Sequence, residues 1–130
     1  MNKKDLKREY LETARPMGVF QIRNLENGKI YVGSSLNLDG ILNRHRFALS
    51  AGGHRSKALQ ADWNALGPEK FAFEILEELE PRPNLDSKRE LAFLEDLWLE
   101  KLEPYDEKGY NERKMTREQR LRMIAANKKD

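Results

Sequence analysis

The chain has 130 residues, enough for one domain with a modest hydrophobic core and too few for two independent domains. It contains no cysteine, which excludes disulfides and thiolate metal sites. No apolar run approaches the length of a membrane span, and the N-terminal residues lack the hydrophobic stretch of a signal peptide. We therefore expect a soluble cytoplasmic protein with no membrane partner.

The net charge is only +2, but the positive and negative residues are concentrated in different segments of the chain. Residues 40–61 contain no Asp or Glu, residues 74–107 carry twelve carboxylates against four Lys or Arg, and residues 112–130 are basic. The carboxylate-free stretch holds both histidines and four cations: His45, His54, Arg44, Arg46, Arg55 and Lys57. This segregation favours a surface that faces a polyanion, and unevenly composed solvated helix faces are the alternative explanation.

The N-terminal quarter of the chain predicts a short charged helix followed by a β-hairpin. The helix spans residues 3–12, and Pro16 ends it. Alternating apolar residues predict strands over residues 18–23 and 29–33. Between them stands Asn27-Gly28, and both residues tolerate the positive φ of a two-residue hairpin turn.

Two helices are predicted after the hairpin. The first runs from about Leu38 to Leu49, and the candidates for its N-cap are Ser34, Ser35 and Asn37. Gly52-Gly53 breaks it, and the second runs from near Ser56 to Gly67.

The second half of the chain predicts one strand and two helices. The strand spans residues 71–76, and the helices span about residues 86–102 and 116–125. In the last helix we expect Leu121 and Ile124 to dock on the body, which leaves its arginines free for phosphates. The order of elements predicts an α/β fold with a small, mainly antiparallel three-stranded sheet flanked by helices.

Three residues stand at unusual positions for purely structural roles. His45 lies in the middle of the apolar stripe of its predicted helix, and Glu95 lies within the apolar arc of another. A buried carboxylate without compensation costs several kcal/mol, so Glu95 should be paired, protonated or bound to a metal. Tyr31 occupies the return strand of the hairpin. The alternatives are a satisfied core histidine, a partly exposed glutamate and an ordinary strand aromatic.

Several motifs in fixed order resemble the GIY-YIG endonucleases. Gly18-Val19-Phe20 and Tyr31-Val32-Gly33 are similar to the two strand signatures of that family. The resemblance continues through residues 43–47, 53–54, 59–64, 71–76, 94–99 and 109–111. It implies a GIY-YIG nuclease-like domain over residues 16–111, a helical extension over 1–15 and a basic extension over 112–130.

The resemblance also implies roles for individual residues. Tyr31 matches the tyrosine that activates or orients the attacking water, and His45 matches a helix histidine placed to relay its proton. Glu95 matches the single acidic ligand of one Mg²⁺ or Mn²⁺ ion. His54 and Asn111 match positions that organise the site and the nucleic acid.

Two positions depart from the family pattern. Phe20 replaces the tyrosine of the first signature, and Ile41 stands where the family has its catalytic arginine, ten residues after Tyr31. Arg44 lies one helical turn further on and could reach the same phosphate. Arg46 lies farther round the helix and is the weaker substitute.

The sequence therefore leaves three hypotheses open. The first is a metal-dependent endonuclease that hydrolyses DNA, with catalytic residues Tyr31, His45, Arg44 and Glu95. In this hypothesis the nucleic acid, DNA rather than RNA, also contacts Arg46, His54, Arg55, Lys57 and Asn111. The second is a catalytically weakened or inactive nucleic-acid-binding module of the same fold. The third is a protein-interaction domain that uses the acidic segment, residues 74–107.

Overall fold

The computed structural model describes residues 15–113 and 117–127. These residues form three strands and four α-helices: β1 (Met17–Asn24), β2 (Ile30–Ser35), α1 (Leu38–Ala51), α2 (Lys57–Leu66), β3 (Phe71–Leu79), α3 (Ser87–Leu102) and α4 (Arg117–Asn127). A single 3₁₀ turn, Pro68–Lys70, precedes β3. The helix predicted over residues 3–12 lies outside the described residues.

The three strands form one antiparallel sheet in the order β2-β1-β3. This confirms the predicted α/β fold with a small antiparallel sheet. Strand β3 continues to Leu79, three residues beyond the prediction, because Glu77 and Glu78 pair with β1. Their side chains are exposed and charged, so the apolar sequence pattern stops before them although the strand continues.

The hairpin is present, but its turn differs from the prediction. Asn24 and Lys29 close a four-residue loop, and Gly28 has a φ of 78° while Asn27 does not adopt positive φ. The buried side chain of Asn24 accounts for the difference, because its Oδ1 accepts the backbone N–H groups of Glu26 and Asn27. These bonds hold a longer loop than an Asn-Gly turn.

The helices of the domain begin and end where capping residues predict. Asn37 caps α1, Ser56 caps α2 and Asp86 caps α3, each through its side-chain oxygen. Gly52 ends α1 in the left-handed region with a φ of 81°.

Helices cover both faces of the sheet. Phe20 and Ile22 of β1 pack with the core residues of α1 and α2, whereas Val19 packs with Leu99 of α3 on the opposite face. Strand β2 stays at one edge, where α1, α2 and α3 approach each other. The fold thereby places side chains from all three helices beside one edge strand.

The predicted docking of the last helix is wrong. Leu121 and Ile124 of α4 are 57% and 52% exposed, and Arg122 pairs with Glu118 of the same helix at 2.8 Å. Met123 is also about half exposed, so none of the three large apolar side chains of α4 is buried against the body. Thr116, the first residue of the predicted helix, lies outside the described residues. None of the described helices is long and apolar enough to cross a membrane.

Candidate active site

A cleft of about 1100 Å³ runs along the edge strand β2. Tyr31 enters it from β2, His45 from α1 and Glu95 from α3, the three residues to which the family resemblance assigns roles in one site. The structure thus brings together the three residues at unusual positions, and their chemical roles stay predictions. Other lining residues include Phe20, Gly33, Ser34, Ile41, Arg44, Arg55, Ser56, Lys57, Asn111, Glu112 and Arg113.

Tyr31 lies half-buried, and its ring contacts both histidines edge-on, at 5.4 Å from His45 and 5.6 Å from His54. Burial raises the pKa of Tyr31; Arg55 opposes this shift, while Glu95 and Glu112 add to it. The phenol is therefore a weak base at neutral pH and holds its proton. Its hydroxyl makes no hydrogen bond with any residue of 15–113 or 117–127.

The two histidines of the chain form a hydrogen-bonded pair. Nδ1 of His45 lies 2.8 Å from Nε2 of His54, and the rings are 5.0 Å apart. Burial, reinforced by His54, Arg55 and Arg44, lowers the pKa of His45 to about 4. Burial also lowers the pKa of His54. Both imidazoles are consequently neutral at pH 7.

Glu95 is half-buried and forms no hydrogen bond or ion pair with the described part of the chain. Glu112, an exposed carboxylate that the sequence analysis missed, lines the same cleft. Among residues 15–113 and 117–127, no three His, Asp or Glu side chains are grouped as a metal cage. One or two carboxylates beside an open cleft suit Mg²⁺, which keeps several of its waters and needs no all-protein cage. The donor set therefore fits the predicted ion.

The cleft carries three cations that have no carboxylate partner among the described residues: Arg44, Arg55 and Lys57. Several surface cations elsewhere are paired, as in Arg23 with Glu74 at 2.7 Å. Arg44 stands one turn after Ile41, and both side chains line the cleft. Unpaired guanidinium groups here are available for phosphate oxygens.

Two of the residues predicted to bind nucleic acid occupy other positions. Arg46 lies outside the cleft lining, with its guanidinium 4.4 Å from the centre of the Phe73 ring. His54 is 7% exposed and lies behind His45, so it is closed to a direct phosphate contact. Both positions follow from packing, because Arg46 stacks on an aromatic ring and the core encloses His54; their contacts with nucleic acid stay predictions.

Asn111 lines the cleft, but its amide is engaged with the edge strand. Its Oδ1 accepts the backbone N–H of Val32 and its Nδ2 donates to the Val32 carbonyl, both at 2.8 Å. The side chain of Asn111 therefore satisfies the backbone N–H and C=O groups of Val32 on the free edge of β2. This geometry favours a role in holding Tyr31 in place over the predicted contact with nucleic acid.

Three further residues shape the site and were missed by sequence reasoning. Glu112 and Arg113 directly follow the Tyr110-Asn111 motif, and that adjacency was the available signal. Arg113 is paired with Asp106 at 3.1 Å. Gln60, buried in α2, accepts the backbone N–H of His54 and donates to the Leu49 carbonyl. It falls within a stretch that resembles the family, but the sequence indicated no role for it.

Residues 16–111 match the family model of the GIY-YIG catalytic domain. The chain belongs to this family. Its relatives include "Intron-associated endonuclease 1" of Enterobacteria phage T4, which is 36% identical over 80 residues. That match covers 62% of this chain and 32% of the relative, so the GIY-YIG chain spans about a third of the length of that relative.

Solved structures of the catalytic domain of the homing endonuclease I-TevI share the GIY-YIG fold of this chain. One is 33% identical with a TM-score of 0.64, covering 75% of this chain and 99% of that domain. A mutant of the same domain is 32% identical with a TM-score of 0.64, and the match covers 78% of this chain and 97% of the mutant domain. The three-stranded sheet with flanking helices is therefore the fold of this family.

The lowered pKa of His45 predicts a pH-dependent stability. The unfolded chain binds a proton at His45 below its ordinary pKa of 6.5, whereas the folded chain does so only near pH 4. The free energy of unfolding should therefore fall as the pH drops from about 6.5 to 4, and be unaffected by this group above that window. We expect His45 to account for about 1–2 kcal/mol, since solvent screens a half-exposed side chain.

Urea unfolding at pH 7.5, 5.5 and 4.5 measures this dependence, with His45→Gln as the matched variant. Carboxylates titrate in both proteins, so only the difference between their pH profiles reports on His45. Parallel profiles for the two proteins would contradict the prediction.

Proposed function

We propose that this chain is a DNA endonuclease domain that hydrolyses phosphodiester bonds with the help of one Mg²⁺ or Mn²⁺ ion. The observation that carries the proposal is the convergence of Tyr31, His45 and Glu95 on one cleft, together with two arginines that have no carboxylate partner within residues 15–113 and 117–127. Membership of the GIY-YIG family and the endonuclease relatives support it, and the relatives make DNA the preferred substrate.

The arrangement divides the tasks of phosphodiester hydrolysis among the side chains of the cleft. Arg44 and Arg55 neutralise the phosphate, whose charge rises in the transition state. The hydroxyl of Tyr31 orients the attacking water through a hydrogen bond, since the raised pKa of this phenol disfavours the anion. Lys57 adds attraction for the nucleic acid backbone.

Glu95 would hold the metal ion, with Glu112 as the second carboxylate within the cleft. A bound Mg²⁺ supplies charge stabilisation at the phosphate and its leaving oxygen. Without the ion, Glu95 raises the pKa of Tyr31 and opposes its ionisation. The protein contributes the fixed position of this carboxylate on α3.

A second candidate function is binding of nucleic acid without cleavage. It is favoured by Ile41, an apolar side chain that lines the cleft at the position of the expected arginine. The same cations would then hold the backbone while the phosphate charge stays incompletely neutralised. Both candidate functions require a polyanion in the cleft and therefore share the binding surface. They differ only in whether the bound nucleic acid is cleaved.

A cleavage assay on single-stranded, double-stranded and branched DNA, in Mg²⁺ and in EDTA, separates the two functions. We expect cleavage of at least one substrate in Mg²⁺ only. Tyr31→Phe should lower the single-turnover rate by about 10²-fold, because the ring stays and only the water-orienting hydroxyl is lost. Salt-dependent binding of all three DNAs without cleavage would favour the binding module.

A further inference from the structure

The backbone around the start of α2 fixes the position and the protonation of the His54 ring. The backbone N–H of Ser56 donates to Nδ1 of His54 at 3.0 Å, and the backbone N–H of His54 donates to Gln60 at 3.0 Å. Gln60 is itself held by the Leu49 carbonyl at 2.9 Å. The Ser56 N–H bond to the His54 ring and the Gln60 bond to the His54 main chain together form a frame that fixes this residue.

This frame determines the tautomers of both histidines. An amide N–H can only donate, so Nδ1 of His54 is an acceptor and the proton of the neutral ring is on Nε2. That Nε2–H faces Nδ1 of His45 at 2.8 Å, which makes Nδ1 of His45 an acceptor in turn. The proton of neutral His45 is therefore on its Nε2.

The second nitrogen of His45 opens onto the cleft. Nε2 has no hydrogen-bond partner among residues 15–113 and 117–127. Every buried side-chain nitrogen or oxygen in that part of the chain has a partner, so the unpartnered Nε2 is reached by solvent. His45 lines the cleft, and Nε2–H is the polar group it offers there.

We propose that His54 is a positioning residue that locks His45 as an Nε2–H hydrogen-bond donor to a phosphate oxygen of the substrate. A proton relay through His45, which the family resemblance implies, would need an unprotonated ring nitrogen facing the reactants. Nδ1 is occupied by His54 and Nε2 carries the proton, so His45 has none. A neutral donor aimed at a phosphate stabilises the charge that develops there. This inference rests on the proposed function.

Nitrogen-15 NMR of the imidazoles tests the lock without any cleavage, and the protein has only two histidines to assign. At pH 7 we expect both rings as the Nε2–H tautomer, and in His54→Ala we expect His45 to become a mixture of tautomers. An Nδ1–H or doubly protonated His45 in the wild-type protein overturns the proposal. So does an unchanged His45 tautomer in the variant. The wild-type spectrum decides even if the variant fails to fold.

The donor role is tested by titrating a short single-stranded phosphorothioate oligonucleotide in EDTA. The Nε2–H resonance of His45 should shift on binding, and a resonance unmoved by bound oligonucleotide overturns the donor role. In Mg²⁺, His45→Gln keeps an N–H donor and should cleave about tenfold faster than His45→Phe. Equal loss in both variants also overturns the role. A protein that never cleaves refutes the endonuclease, while the tautomer result stands by itself.

Discussion

Replacing Glu95 by Gln should lower the single-turnover rate of DNA cleavage by about 10³-fold. Gln keeps the size of the side chain and removes the charge that a divalent cation needs. Glu95 is half-buried with no cation paired to it in the described residues, so the variant breaks no ion pair there. DNA binding in EDTA should be equal or slightly tighter, because one negative charge leaves a cleft that faces phosphates.

Glu100→Gln is the matched control, since Glu100 is an exposed carboxylate of the same helix outside the cleft. It should cleave like the wild-type protein. Fluorescence anisotropy and thermal melts of both variants separate chemistry from binding and folding. Undiminished cleavage by Glu95→Gln, or equal losses in the two variants, would refute the metal-ligand role. Glu112→Gln then shows whether the second carboxylate of the cleft holds the ion instead.

The sequence indicated the sheet and singled out His45 and Glu95 because both inferences depend on local periodicity. His45 and Glu95 each interrupt an apolar stripe, and a stripe must face the sheet that buries it. Two helices on the two faces can present polar residues to one cleft only at a shared edge, here β2. The N-cap of α1 was equally local, and Asn37 was among its predicted candidates.

The features that the sequence did not indicate involve side chains whose partners are contributed by other elements of the fold. Arg46 is drawn onto the ring of Phe73 from the third strand, and no periodicity of its own helix indicates that contact. The predicted turn failed at Asn24, whose buried side chain also donates to Tyr110, 86 residues away. The tautomer of His45 depends on a main-chain donor at Ser56. Such features need the assembled fold.

Replacing Arg44 by Ala should lower cleavage by about 10²-fold or more while weakening DNA binding only modestly. The guanidinium lines the cleft one turn after Ile41, unpaired in the described residues, and its contact with phosphate matters most in the transition state. Arg44→Lys should restore little, because a point charge does not reproduce a bidentate contact. Single-turnover kinetics and anisotropy measure the two effects.

Arg46→Ala is the control for Arg44, since it removes an arginine of the same helix that lies outside the cleft lining. Arg55→Ala tests whether Arg55, and not Arg44, neutralises the phosphate. Arg55 is the alternative because its charge acts on both Tyr31 and His45. A 10²-fold loss on replacing Arg55 alone would assign the charge-neutralising task to Arg55, which lies just before α2.

Ile41→Arg provides the converse test of the Arg44 assignment. In the Arg44→Ala background it should recover much of the lost rate, because it returns a guanidinium to the same wall of the cleft one turn earlier. In the wild-type background it should add little, since the phosphate is already neutralised. If Ile41→Arg instead creates cleavage in an otherwise silent protein, and Arg44→Ala changes nothing, the chain is a disarmed nuclease that retains the binding cleft.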